Sequence, residues 1–324
     1  MSTFSWRSVA DRFRSATRAS SMFASEARGD EGPLLDEDML RQLTRLQLES
    51  GRSFTDWLAG EHEGRRQTQS VEFEDYRGYS PGDDFRLIDW NAYARLGELF
   101  VKTSLAEETM TISLLVDCSR SMDFGTPSKL RYAKQLATAL GGLALLHGDR
   151  VRVFGLGDGD AFPGAPLYGP GEMGTMIAEL ERLPILPSTD LHGSIAAFQQ
   201  IAEPHGVVIL LSDLLAPMNQ IETLDFLELQ GRFVVVVHVI DPVEAAPVLQ
   251  GTIELRDRET GATSLVSITP AVRQQYGVRF QERAAEIESR LAKGSVRYIK
   301  ASTAIPPIDF IASGMRQEGV VAQA

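Results

Sequence analysis

Four apolar runs, MTISLLV, RVRVFGL, GVVILLS and RFVVVVHVI, constrain this chain more than any other feature. They are rich in β-branched residues and apolar almost throughout, the pattern of strands covered on both faces. Between them lie segments with helical character: SKLRYAKQLATALGGLALLHG, MGTMIAELERL, LHGSIAAFQQIA and the stretch around IETLDFLELQ. Strands alternating with helices of this length predict an α/β fold, a doubly wound and mainly parallel sheet. Its functional loops should leave the carboxyl ends of the strands. Further on, GTIELRDRETGATSLVSI has Glu-Thr-Gly between two alternating segments and predicts a hairpin added at the sheet edge. A long helix from Pro270 to about Lys293, a strand VRYIKAS and a short closing helix near Pro307 complete the reading.

The order changes upstream of Met110. Residues 1–35 read as a flexible or amphipathic leader, 36–108 as a helical and β-rich annexe, and 109–324 as the main domain. Asp36 is placed to cap a helix through DEDMLRQLTRLQLES, where Met39, Leu40, Leu43 and Leu46 recur at helical spacing. From Val71 to Val101 short segments mix aromatics and charges around a Ser-Pro-Gly-Asp turn, which predicts strands and turns.

Composition limits the function classes. A net charge of −12 over 324 residues, with Lys and Arg dispersed among acids, argues against a nucleic-acid partner. Cys118 is the sole cysteine, so no internal disulfide and no cysteine-rich metal site can form, and a cytoplasmic location is expected. No apolar run reaches the roughly 18 residues of a transmembrane segment. The Arg- and Ser-rich leader has the composition of transit peptides and membrane-surface helices, which leaves peripheral membrane contact through the N-terminus beside a polar docking leader.

The chemistry concentrates where MTISLLV ends, in DCSRSM. Asp117, Ser119 and Ser121 place three oxygens on one turn, a set suited to a hard cation. The plain alternative is that they shape the loop or cap the helix starting near Lys129. Two further loops belong to the same predicted rim: PSTDLHGSI, carrying Thr189, leads into a helix, and VVILLSDLL, carrying Asp213, ends a buried strand.

Asp-x-Ser-x-Ser, then a Thr in a loop, then Ser-Asp after an apolar strand resembles the metal-ion-dependent adhesion site of von Willebrand factor type A domains. The block YRGYSPGDDFRLIDWNAYARLGELFVK upstream is similar to the signature of the bacterial "domain of unknown function 58" family, whose members carry that fold. With the tail included, the resemblance spans residues 64–311 and points to the soluble subset of the family. It implies that Ser119, Ser121 and Thr189 offer hydroxyls to Mg2+ (or Mn2+ or Ca2+), and that Asp117 and Asp213 bind the ion directly or through water. Because neutral hydroxyls leave a divalent ion incompletely neutralised, an open position would take an Asp or Glu carboxylate from a protein partner. The resemblance further implies a MoxR-type AAA+ ATPase as partner and a non-enzymatic role.

The alternative is a magnesium-dependent phosphoryl-transfer enzyme with Asp117 as nucleophile. Haloacid-dehalogenase phosphatases place a second Asp two residues later as general acid, and here that position is Ser119. A serine hydrolase lacks support, because no Gly-x-Ser-x-Gly elbow is present. Strand alternation points the Cys118 side chain away from Asp117, which makes it a packing residue. His192 is expected in the first turn of a helix, and His147, His205 and His238 as structural or surface residues. Asp123 and Asp158 are loop acids that can add negative potential to the rim. In the upstream block, Arg77, Asp83, Asp84, Arg86, Asp89 and Arg95, with Tyr76, Tyr79, Phe85, Trp90 and Tyr93, read as a mesh of ion pairs and aromatics, structural or partner-facing. The run GLGDGDAFPG, residues 155–164, lacks the Lys-Ser/Thr ending of a phosphate loop.

Overall fold

The computed structural model describes residues 32–50, 75–79, 90, 93, 95, 97–103, 110–188, 190–228, 231–256, 262–294 and 296–319. The leader up to residue 31 lies outside them. Helix α1 spans Glu37–Ser50 and is capped as expected, with Asp36 Oδ1 accepting from Met39 N at 2.7 Å. Leu34, Leu35, Met39 and Leu43 are buried in the main core, so the chain just before α1, read as leader, is anchored by its two leucines. The chain divides into two compact units, the smaller being residues 61–109, and α1 belongs to the larger.

Within the smaller unit, β1 (Asp75–Gly78) and β2 (Phe100–Thr103) pair antiparallel, Asp75 opposite Thr103. Trp90 and Tyr93 meet edge-on with centroids 6.3 Å apart and are both exposed. Asp83, Asp84, Phe85, Arg86 and Asp89 of the expected mesh lie outside the described residues.

The larger unit continues with β3 (Thr111–Asp117), α2 (Lys129–His147), β4 (Arg150–Gly157), β5 (Asp160–Pro163) and β6 (Leu167–Tyr168). There follow α3 (Met173–Arg182), α4 (Leu191–Ile201), β7 (Gly206–Ser212) and β8 (Arg232–Ile240), then the strands β9 (Gly251–Arg256) and β10 (Thr263–Ile268). Helix α5 (Pro270–Leu291), β11 (Arg297–Ser302) and α6 (Pro307–Gly319) complete the order. The sheet runs β11-β8-β7-β3-β4-β5, with β6 also against β4. Neighbours from β11 to β4 are parallel, and β5 and β6 are antiparallel to β4. This is the doubly wound, mainly parallel sheet expected from the alternating runs.

One detail differs. The hairpin β9–β10 forms as its own two-stranded sheet, while the antiparallel edge of the main sheet comes from β5 and β6. Beside β8 it is β11 that pairs, while at the other end Asp158 (φ 53°) and Gly159 (φ 77°) sit in the left-handed region and turn β4 straight back into β5. The glycine-rich run is therefore a hairpin corner.

Alternation along the strands sorts the core. Ile112, Leu114, Val116 and Cys118 share one face of the sheet with Val207, Ile209 and Leu211, packed with α2 and α3. Leu115, Phe154, Val208, Leu210, Val234 and Val236 take the other, with residues of α4 and α5. Helix α2 is buried on nearly all sides from Lys129 to Leu145, which is what its apolar run requires of it. From β3 the chain crosses to β4 on one side, and β7 later pairs on the other, so the carboxyl ends of β3 and β7 sit together at the topological switch point. No helix among the described residues is long and apolar enough to cross a membrane.

Candidate metal centre

Asp117 is the last residue of β3 and is 2% exposed. Its Oδ1 accepts from the backbone N–H of Ser119 at 2.9 Å, and its Oδ2 accepts from Ser212 Oγ at 2.6 Å. Burial, and secondarily the charge of Asp213, push its carboxyl from an ordinary 3.8 up to about 6. A carboxylate so placed is short of positive charge.

Ser119 and Ser121 face each other with Oγ atoms 3.0 Å apart, Ser119 fully buried. Ser119 precedes the 3-10 turn Arg120–Met122, yet its side chain makes no capping bond. The cap of α2 is Ser128, whose Oγ accepts from Arg131 N at 3.1 Å. The cap of α2 is therefore not among the Asp and two Ser, whereas the loop-shaping alternative is met in part, since Asp117 Oδ1 holds the Ser119 N–H two residues on.

Asp213 follows β7 and is 3% exposed. Its Oδ2 accepts from Lys129 Nζ at 2.7 Å, and its Oδ1 accepts from Leu215 N at 3.3 Å. Lys129, the first residue of α2, also donates to Glu244 Oε2 at 2.8 Å. Burial pulls the Lys129 ammonium toward deprotonation, but Asp213 and Glu244 together outweigh it and hold its pKa above the ordinary value. Arg283 Nη2 donates to the carbonyls of Leu214 and Ala216 at 3.2 and 2.5 Å, which pins the loop beyond Asp213.

Thr189 lies outside the described residues. The residues flanking it are well held. Leu186 bridges to Ser119 and donates its N–H to the Cys118 carbonyl at 2.7 Å. Ser188 gives both its N–H and its hydroxyl to Asp158 Oδ1, at 3.0 and 2.8 Å. Asp190 caps α4 by accepting from Gly193 N. A Cβ on Gly193 would stand 2.8 Å from Gly159 Cα, so glycine there lets the β4–β5 corner lie against the start of α4. Asp158 thus ties the loop rather than standing free in solvent.

Cys118 packs into the core on the α2 side, and burial pushes its thiol up to about 12, which removes it as a nucleophile. His192 is the second residue of α4 and exposed. His238 is buried beside the site, opposite Ser212 in the β7–β8 ladder, with Nδ1 2.6 Å from Tyr298 Oη, and burial lowers it to about 4. Three participants escaped sequence reasoning. Ser212 stood in the quoted Ser-Asp pair without a role, whereas Lys129 and Glu244 gave no signal, being 84 and 31 residues from Asp213.

Among the described residues no three or more His, Cys, Asp or Glu cluster as a metal site. The available set is two carboxylates with hydroxyls, all oxygen. It fits a hard divalent ion and not a soft one. Asp117 and Asp213 end adjacent parallel strands, both buried, and burial first and the Asp213 charge second oppose the ionised Asp117.

Residues 75–286 match the family model described as protein of unknown function DUF58. The chain belongs to that family. Its DUF58 segment takes in the whole sheet except β11 and includes every described residue of the candidate centre. Uncharacterized proteins of Mycobacterium bovis and Mycobacterium tuberculosis are 29% identical over 251 residues, 76% of this chain and 78% of theirs. Solved structures similar to this DUF58 chain include the conserved hypothetical protein BatB from Bacteroides thetaiotaomicron, at 20% identity and TM-score 0.40, covering 64% of this chain and 98% of that one. The SpRpn10 VWA domain is similar at 13% identity and TM-score 0.38, covering 66% and 100%. The fold described above stands on the sheet order itself.

Proposed function

We propose that this protein is a non-enzymatic protein-binding module whose β3–β7 rim holds a hard divalent cation, Mg2+ first and Mn2+ or Ca2+ as alternatives. Asp117, Ser119, Ser121, Thr189 and Asp213 would hold it, and an Asp or Glu carboxylate from a partner would complete its shell. The observation that carries the reading is the convergence of Asp117 and Asp213 at adjacent strand ends, with the Ser119 and Ser121 hydroxyls free of capping duty. The bound ion would supply a fixed positive point for a carboxylate. The chain's own residues orient it: Ser212 and the Ser119 N–H fix both Asp117 oxygens, each of which keeps a lone pair for a ligand.

The phosphoryl-transfer alternative gains nothing from the geometry. Position 119, where such an enzyme places its general acid, is a fully buried serine. The family resemblance supports a MoxR-type AAA+ ATPase as partner, and a cytoplasmic location accompanies that reading. Calorimetric titration of Mg2+ and Mn2+ into the native chain and into Asp117→Ala tests it. Saturable binding lost in a folded variant is expected; absence of binding in the native chain removes the metal-dependent reading. Capture of the ATPase in Mg2+ but not in EDTA tests the partner.

A further inference from the structure

The rim already contains a cation of its own. Lys129 reaches Asp213 at 2.7 Å and Glu244 at 2.8 Å, with its side chain 1% exposed against 3% and 17% for the two acids. The ammonium is fixed from both ends. Ser128 caps the helix that starts at Lys129, and Glu244 lies in the one-turn helix Pro242–Ala245, whose cap Asp241 is itself buried and accepts from Thr303 Oγ1 and Val243 N. A Cβ on Gly125 would overlap the Asp241 carboxylate, so the loop leading to Lys129 lies close against that second acid-bearing turn.

This arrangement treats the two candidate ligand acids differently. Asp117 receives only neutral donors, whereas Asp213 gives one oxygen to a full positive charge. A divalent ion drawn to Asp117 and Asp213 would meet the ammonium as a like charge in a buried setting, where screening is weak. Glu244 is the only other acid on that ammonium among the described residues.

Resting on the metal-binding reading above, we infer that Lys129 is a built-in competitor for the divalent cation, and that Glu244 sets the cation affinity by drawing the ammonium away from Asp213. Both are affinity-determining residues that act through Asp213. The site would be tuned to bind its ion weakly, and a partner's carboxylate would then tip occupancy.

The test is Mn2+ titration by calorimetry, with the metal-induced shift in melting temperature as a second readout, on the native full chain and three variants. Lys129→Met/Glu244→Gln exchanges a positive and a negative group for neutral ones, so net charge is unchanged while the competitor is lost together with the acid that holds it. It should bind Mn2+ roughly tenfold or more tightly and show the larger metal-induced shift. Glu244→Gln, which leaves the ammonium wholly on Asp213, should bind about fivefold or more weakly and serves if the double variant fails to fold. Asp117→Ala made in the double variant should abolish the binding. Native binding that neither Lys129→Met/Glu244→Gln nor Glu244→Gln alters overturns it and leaves the metal-binding reading standing. No binding by any chain overturns both.

Discussion

Asp117 and Asp213 terminate neighbouring parallel strands, are equally buried, and differ in what surrounds them. Asp117 is held by a hydroxyl and a backbone N–H, and its carboxyl rises to about 6 because burial and the neighbouring acid both oppose its charge. Asp213 is held by an ammonium. Breaking the buried pair of Asp213 with its ammonium would leave an uncompensated charge. The difference teaches that two acids of one rim can sit in opposite charge environments, which residue type alone does not disclose.

The largest effect should come from breaking the Lys129 ion pairs. Lys129→Ala leaves Asp213 and Glu244 facing each other without their cation, and should destabilise the metal-free protein by about 3–5 kcal/mol in urea unfolding at neutral pH. A loss below about 1 kcal/mol would mean that the ion pair is not held in solution.

Asp117→Asn should act in the opposite direction. At pH 7.5 without metal the wild-type protein must hold Asp117 ionised in a site that disfavours it, so the amide should stabilise the fold by on the order of 2–3 kcal/mol while eliminating divalent-ion binding. Destabilisation would mean that the two hydrogen bonds accepted by the carboxylate outweigh the cost of burying its charge.

The same imbalance sets a pH dependence. Below about 3.8 Asp117 is protonated in both folded and unfolded chains and makes no difference. Between about 3.8 and 6 the folded chain holds the proton and the unfolded chain has lost it, so the Asp117 contribution to stability falls as pH rises through this window. The difference in unfolding free energy between wild type and Asp117→Asn, followed from pH 4 to 7.5, should grow in the variant's favour and level off above about 6. Divalent-ion affinity should strengthen over the same window, because the ion requires the ionised acid.

The smallest effects separate the serines. Ser128→Ala removes the cap of α2 and should lower stability by about 1 kcal/mol with divalent-ion affinity unchanged. Ser119→Ala should alter stability by no more than about 1 kcal/mol yet weaken Mg2+ or Mn2+ binding roughly tenfold, since its hydroxyl serves no cap. Equal effects of the two substitutions on metal affinity would dissolve the distinction.

Much of this was readable along the chain, because its signals are local. The four apolar runs became β3, β4, β7 and β8, and the Asp36 cap formed where the sequence placed it. The hairpin β9–β10 also formed, but as its own two-stranded sheet, because the strand that pairs beside β8 is β11. Asp117, Ser119 and Ser121 were recognisable together since five residues of one loop carry all three. That the helix cap belongs to Ser128 and not to them required the backbone course from Met122 to Lys129.

The sequence by itself determined the strands and helices, the face alternation that sends Asp117 and Cys118 to opposite sides, and the oxygen-rich loop at the end of β3, all consequences of period and propensity within short windows. Only the tertiary structure decided the charge on the rim. Lys129 meets Asp213 across 84 residues and Glu244 across 115, and no local pattern encodes which buried acids will share a lysine. That pairing exists because the winding of the sheet brings the start of α2, the end of β7 and the turn after β8 to one edge, where burial makes every unpaired charge costly.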